Sequence, residues 1–347
     1  MYFVDMNIFD IAKLAGVSRK TVQRVMNNPE SVSPKTRENV LRVMEEHNYE
    51  PNSAARKLSS QKAHTIGLFI IQDKSNYTLY SDDMFYGVAI GAVISQCFER
   101  GYNTLVTILD VSDTSALFSQ YKQKNIDGGI AISWSNLQGL VEQVRDAGFE
   151  ICVFDRSNAP DGGLIIPAPR IDNRKGAYKA VEYLAGLGHT NIGMITGLLS
   201  NPSGMERYEG YMDAMEALKL PVSQANIFQG DFTEIGGKAA VEHWLSEDKL
   251  PTAVFCSNDL TAIGVMKTLA AHKRSVPEDV SVIGFDDLLI SQYIHPALTT
   301  MHVPRVDMAV SLVNQLISVL EEEDTPLEEN LFEVELIMRD SCCAPRI

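Results

Sequence analysis

Two groups of side chains in this 347-residue chain have the types and spacing to do chemistry. Ser18, Arg19, Lys20, Thr21 and Arg24 form the polar side of a segment whose apolar side is Val22, Val25 and Met26. Arg and Lys there can donate to guanine O6 and N7, and Ser and Thr have the length for phosphate contacts. The second group is scattered along the chain but shares a position, the C-terminal ends of apolar, β-rich runs. Asp155 follows 150–154, Asn258 follows 252–257, and Asp286 follows 280–285. Phe232 comes shortly after 226–229, and Arg207 lies near the start of the helix after 191–196. Carboxylates accept and a guanidinium donates paired hydrogen bonds to vicinal hydroxyls, while an aromatic ring covers an apolar sugar face. Brought together, these residues would clamp a polyol.

The elements that must position the first group are three short helices. Ile8, Ile11, Ala12 and Ala15 recur at helical spacing behind Asn7, a good N-cap, with Asp10 in the first turn. Gly16 breaks that helix and Ser18 caps the next, which Asn27-Asn28-Pro29 ends. Ser33-Pro34 opens a third, with Val40, Val43 and Met44 on its core side. A glycine turn between the first two is the spacing of a helix-turn-helix. The competing reading of Ser18–Arg24 is a solvated cationic face.

The second group needs strand ends. From Thr65 onward, apolar runs at 65–71, 103–108, 128–133, 150–154, 191–196, 226–229, 252–257 and 280–285 alternate with helical patterns. Those patterns lie around 83–100, 136–147, 174–187, 205–219, 234–245 and 260–272. Strands alternating with helices imply parallel sheets covered on both faces. Eight such units exceed one ordinary sheet, so two doubly wound subdomains are expected, with a boundary near Pro160–Pro169. Ligands of open α/β sheets sit beyond the carboxyl ends of the strands. The chain then returns through a crossing strand at 299–303, an amphipathic helix at 307–320 and a final strand at 331–338.

Longer motifs carry a resemblance. The run Asp10-Ile11-Ala12-Lys13-Leu14-Ala15-Gly16-Val17-Ser18, then Thr21-Val22, Arg24-Val25, Val32-Ser33 and Thr36-Arg37, resembles the lactose/galactose repressor (LacI/GalR) family. So does Tyr49-Glu50-Pro51-Asn52-Ser53-Ala54-Ala55-Arg56-Lys57-Leu58. Gln23 departs from the serine usual there. The resemblance implies an α/β protein: an all-α helix-turn-helix head plus a two-lobed, doubly wound, periplasmic-binding-protein-like effector domain. Expected boundaries are 1–50 for the head, 51–64 for hinge helix and linker, and 65–347 for the effector and dimerisation domain. Within the last, one subdomain takes about 65–160 and 304–325, the other about 161–300 and 326–347. Asn52, Ala55, Arg56 and Leu58 of the hinge join the first group as DNA contacts, Leu58 as a minor-groove wedge. Arg207 matches the family's R-x-x-G-[YF] helix, Asn258-Asp259 its N-D motif and Asp286 the first acid of G-[FY]-D-D. Phe232 stands in the place of a stacking aromatic. Asp83-Met84-Phe85-Tyr86 replaces the common N-P-F-F, which adds Phe85 and Tyr86 as effector candidates. Val303 replaces a glutamine of some sugar-binding members. Asp172-Asn173 fits a family motif and reads equally as a helix cap.

Composition bounds the rest. The net charge of −15 divides into +3 for residues 1–64, from ten Lys+Arg against seven Asp+Glu, and −18 for the remainder. A mildly basic head on an acidic body fits DNA contact through one small face. No apolar run reaches the roughly 18–20 residues of a membrane span, and the N-terminus lacks a secretory pattern. Five cysteines, in no metal-ligand or redox spacing, suit reduced thiols in the cytoplasm. No G-x-S-x-G, H-E-x-x-H or Walker A pattern occurs. The expectation is a cytoplasmic homodimeric repressor without cofactor or metal, not an enzyme, binding pseudo-palindromic double-stranded operator DNA and a small sugar-like effector. The alternatives are a solute-binding protein or a carbohydrate-active enzyme on the same two-lobed fold.

Overall fold

The computed structural model describes residues 6–47, 49, 62–72, 84–133, 135–155, 166, 168–324 and 331–346. The expected hinge contacts Asn52, Ala55, Arg56 and Leu58 lie outside the described residues, as does most of the expected lobe boundary.

The head holds α1 (Ile8–Leu14), α2 (Arg19–Asn27), a 3-10 turn over Pro29–Ser31, and α3 (Pro34–Glu46). Asn7 caps α1 in a full capping box with Asp10, Ser18 caps α2 and Ser33 caps α3 with Pro34 at the first turn. Gly16 adopts φ +66°, the left-handed conformation the tight turn requires. Ile11, Ala12, Ala15, Val22, Val25, Val40 and Val43 form the core, and Asn39 Nδ2 donates to the Ala15 carbonyl at 2.8 Å across it.

The first lobe is built on β1 (Thr65–Gln72), β2 (Asn103–Asp110), β3 (Gly128–Ser133) and β4 (Ile151–Val153), with α4 (Met84–Glu99), α5 (Ser115–Lys122) and α6 (Gln138–Asp146) between them. Its strands are parallel in the order β2-β1-β3-β4. A short β5 (Arg170–Ile171) and α7 (Asn173–Gly186) lead into the second lobe. There β6 (Ile192–Ile195), α8 (Pro202–Ala217), β7 (Ile227–Phe228), α9 (Glu234–Ser246), β8 (Ala253–Cys256), α10 (Asp259–Ala271) and β9 (Ser281–Ile283) alternate. Their order, β7-β6-β8-β9, repeats the first sheet's, again all parallel. The reversal between adjacent strands in each sheet opens a crevice beyond the strand ends.

The chain crosses back through β10 (Thr300–His302), α11 (Arg305–Leu320), β11 (Leu331–Phe332) and β12 (Glu335–Ile337). β10 runs alongside the second lobe, bridged to Ile283 and Asp286. α11 belongs to the first: Leu316 and Leu320 lie against Gly128, and Asn314 Oδ1 accepts from Gln96 of α4 at 2.9 Å. The C-terminal segment returns to the second lobe, where Val282 N donates to Ser341 O at 2.8 Å.

Two expectations need correction. α5 was not anticipated, because Ser115–Lys122 mixes small polar residues with only Leu117 and Tyr121 buried. The single last strand is two pieces: β11 pairs parallel with β5 and β12 antiparallel with β10, so neighbouring residues serve different partners.

Candidate functional site

On the head, Ser18, Arg19, Lys20 and Arg24 are exposed and Thr21 half-buried; Ser18 to Thr21 lie at the start of α2 and Arg24 in its last turn. Ser18 Oγ accepts from the Thr21 amide at 3.1 Å and meets its hydroxyl at 2.9 Å, so Ser18 caps the helix and the Thr21 hydroxyl braces the cap. Arg37 pairs with Glu30 at 2.9 Å and Arg42 with Glu46 at 2.6 Å, whereas Arg19, Lys20 and Arg24 form no ion pair among the described residues. The Arg19 guanidinium sits 5.3 Å from the centre of the exposed Phe9 ring, a partner the sequence reading missed. Among the described residues, the head thus presents cations without acidic partners on one helix.

In the second lobe, Arg207 is the centre. It projects from α8 and is 4% exposed. Nε donates to Asn173 Oδ1 at 2.9 Å, Nη1 donates to the Ser257 carbonyl, and Asp286 Oδ1 lies 3.4 Å from Nη1. Its guanidinium stacks over the Phe285 ring at 3.8 Å, with the Phe232 ring at 5.9 Å. Burial pulls the Arg207 pKa down, opposed by the charges of Asp286 and Asp155.

Asp286 is 5% exposed and held at φ +113°, a conformation unfavourable to a side-chain-bearing residue. The crossover strand fixes it, since Asp286 N donates to Met301 O at 2.8 Å. Burial pushes its carboxyl up to about 7, against the pull of Arg207. Asp259 behind it is pushed up to about 6 by burial, although Ser291 and Thr300 hydroxyls and the Leu288 amide donate to it. Asp287 is taken up by His302 at 2.9 Å and Arg339 at 2.6 Å.

Phe232 occupies φ +66°, and its ring covers Gly197, where any Cβ would collide with it. Asn258 holds that turn in place: its Nδ2 donates to the Phe232 carbonyl at 2.9 Å while Oδ1 caps α10 at Thr261 N. Asp155 is buried at the end of β4. From the first lobe come Phe85 and Tyr86, both buried at the start of α4 and edge-on to each other at 5.1 Å. The Tyr86 hydroxyl donates to Ser133 O at 3.1 Å. Arg207, Asp286 and Phe232 therefore meet, with Asn258 positioning Phe232 and the Asp155 charge within reach of Arg207.

Sequence reasoning missed three contributors. Asn173 orients Arg207, and its ambiguous motif resolves into a division of labour: Asp172 caps α7 through Lys175 N, and Asn173 faces α8. Phe285 is the face on which Arg207 lies. Arg305, 6% exposed, reaches the carbonyls of Asp287 and Met84 and sits 5.3 Å over Phe85. Each depends on burial, which no local pattern reports.

A family model of "Bacterial regulatory proteins, lacI family" matches residues 7–52, and one of a "Periplasmic binding protein-like domain" matches residues 181–342. The chain is 33% identical over 337 residues to a probable HTH-type transcriptional repressor, ExuR, of Bacillus subtilis, covering 96% of this chain and 97% of that one. It is 31% identical over 339 residues to the HTH-type transcriptional repressor PurR of Actinobacillus pleuropneumoniae, with 96% and 97% covered. Among solved structures, the lac repressor dimer bound to operator and the anti-inducer ONPF matches with TM-score 0.80 at 25% identity, covering 98% of this chain and 99% of that one. A complex of the transcriptional regulator CelR with cellobiose matches with TM-score 0.71 at 28% identity, covering 97% and 99%. The long motifs, the helix-turn-helix head and the paired lobes converge, and the chain belongs to the lacI family of bacterial transcription regulators.

Proposed function

We propose that the chain is a cytoplasmic, homodimeric repressor, not an enzyme, whose two lobes receive a small sugar-like effector and thereby set the affinity of the head for a pseudo-palindromic operator. The observation that carries the effector site is the buried Arg207–Asp286 pair with Phe285 and Phe232 around it. A guanidinium that donates and a carboxylate that accepts, beside a ring, suit vicinal hydroxyls on an apolar sugar face. Asp155, Asn258, Phe85 and Tyr86 complete the candidate site, Asn258 through its hold on Phe232. Cellobiose in the CelR complex supports the sugar class.

For the head, Arg19, Lys20, Thr21 and Arg24 would face DNA, with Ser18 fixing the helix start. Asn52, Ala55, Arg56 and Leu58 remain hinge contacts proposed from the sequence. Dimerisation is supported by exposed apolar side chains on α4 and the edge strand β2, among them Phe98 at 78% exposure and Ile108 at 54%, and by the exposed Tyr293 after β9. Apolar surface of this kind marks an interface.

The test is a thermal-shift panel of sugars and sugar derivatives on the purified full-length protein, since a ligand that binds only the folded state raises its melting temperature. A hit that also stabilises Arg207→Ala or Asp286→Ala fully would remove these residues from the site.

A further inference from the structure

Arg305 is buried but takes no part in the Arg207–Asp286 pair. It is the first residue of α11, immediately past the strand-to-helix crossover between the lobes, and only 6% exposed. Among the described residues its hydrogen bonds go to two carbonyls, Nη2 to Asp287 O at 2.9 Å and Nη1 to Met84 O at 3.4 Å. Nε is buried and, among the described residues, has no hydrogen-bond partner. Among the described residues it pairs with no carboxylate: Asp286 lies against Arg207, and Asp287 is held by His302 and Arg339. Its charge nevertheless reaches Asp286, and it covers Phe85 at 5.3 Å. A buried cation without a hydrogen-bonded counter-anion is costly, and a buried donor without an acceptor adds to that cost. Arg339, whose side chain is 17% exposed, closes instead onto Asp287.

We propose that Arg305 is the anion-receiving residue of the effector site, and that the effector is a monosaccharide-sized polyol carrying one acidic group. This deepens the proposed sugar site and rests on it. Asp286 and Arg207 would take hydroxyls, while Arg305, facing them from the first lobe's side of the crossover, takes the anion. Carboxylate and phosphate share this chemistry, because either can accept a pair of parallel N–H bonds from a guanidinium.

The experiment uses full-length protein and names its probes: glucuronate, galacturonate and gluconate as carboxylates, glucose 6-phosphate as the phosphate, and glucose and galactose as neutral parents. Affinities come from thermal shift and titration calorimetry on wild type, Arg305→Gln, Arg305→Lys and Arg207→Ala. At least one acidic probe should bind wild type about tenfold or more tightly than its neutral parent, the range of a charged hydrogen bond. Arg305→Gln should erase that preference and Arg305→Lys keep part of it, which also covers the case in which Arg305→Gln does not fold. Whether the winning probe is a carboxylate or the phosphate separates the two sources. Neutral sugars binding as well as acids, silence of every acidic probe at millimolar concentration, or an acid preference unchanged in Arg305→Gln would overturn the proposal; the last outcome would make Arg305 a staple between the lobes. If a probe binds Arg207→Ala as it binds wild type, the sugar site itself is wrong. That result is distinct from a failure of Arg305 alone.

Discussion

At the residue scale, the buried Arg207–Asp286 pair has two separable consequences. Removing Arg207 takes away a hydroxyl donor and leaves Asp286 buried without its cation. Arg207→Ala should weaken effector binding by about thirtyfold or more, as loss of charged hydrogen bonds does, and lower the melting temperature as well. Asp286→Asn keeps the shape and separates the two effects. A carboxyl whose pKa is higher folded than unfolded holds its proton better in the folded state. The folded state therefore loses relative stability as pH rises from about 4 toward about 7 for Asp286, and toward about 6 for Asp259. Melting temperatures across that window should fall less steeply with pH in Asp286→Asn than in wild type. Equal slopes would show that Asp286 does not titrate in that range.

At the element scale, the site depends on how closely α7 and α8 approach. Gly210, one turn after Arg207, lies where a Cβ would collide with the Arg174 carbonyl, and Asn173 of α7 receives Arg207 Nε beside it. Gly210→Ala should force the helices apart, destabilise by about 1–3 kcal/mol in the manner of overpacking, and weaken effector binding without touching the ligand. Denaturant melts with calorimetry on the same samples would check both. The hinge proposed from the sequence, Asn52–Ser60, is the other element to test, through Leu58. An apolar Leu58 can replace stacking at an opened base step, at about a few kcal/mol of unstacking. Leu58→Ala should bend operator DNA less and bind it more weakly, most on operators with a pyrimidine–purine step at the dyad. Equal FRET bend angles for both proteins would remove the wedge.

These elements show what a sequence can disclose. The eight parallel strands, the caps at Asn7, Ser18 and Ser33 and the turn at Gly16 were legible, because each is written in local spacing or in residues with one conformational use. Arg207 and Asp286 were legible as residues at strand ends and in motifs. Their stacking platform Phe285, the orienting Asn173 and the lone Arg305 were not. Phe285 reads as one more core apolar residue, and Arg305 falls between the crossing strand expected at 299–303 and the helix expected at 307–320. Both acquire meaning only when the crossover brings β10 beside β9. Asn258 was legible as part of a motif, but its double duty, capping α10 and pinning Phe232, needed the fold.

At the scale of the whole molecule, charge and topology divide the labour. Residues 1–64 carry +3 and the rest −18, so the body repels phosphate while the head engages it. A fragment beginning at Ala63 should stay folded and bind effector, yet show no sequence-specific operator affinity in a gel-shift assay. α11 stands on the first lobe, where Leu320 O accepts from Lys62 Nζ at 2.8 Å just after the expected hinge, and β10 stands on the second, so a ligand gripped by both lobes would shift the second lobe relative to the segment that leads to the hinge. Coupling of this kind requires a ligand with different affinity for the two lobe arrangements. The most direct measurement is operator affinity by fluorescence anisotropy, on full-length wild type and Arg207→Ala, with and without a saturating amount of the probe that most stabilises the wild type. The probe should shift the wild-type operator Kd by about tenfold or more, within the usual range of allosteric coupling, and leave that of Arg207→Ala where it was. An unchanged wild-type Kd with the probe demonstrably bound would contradict this coupling.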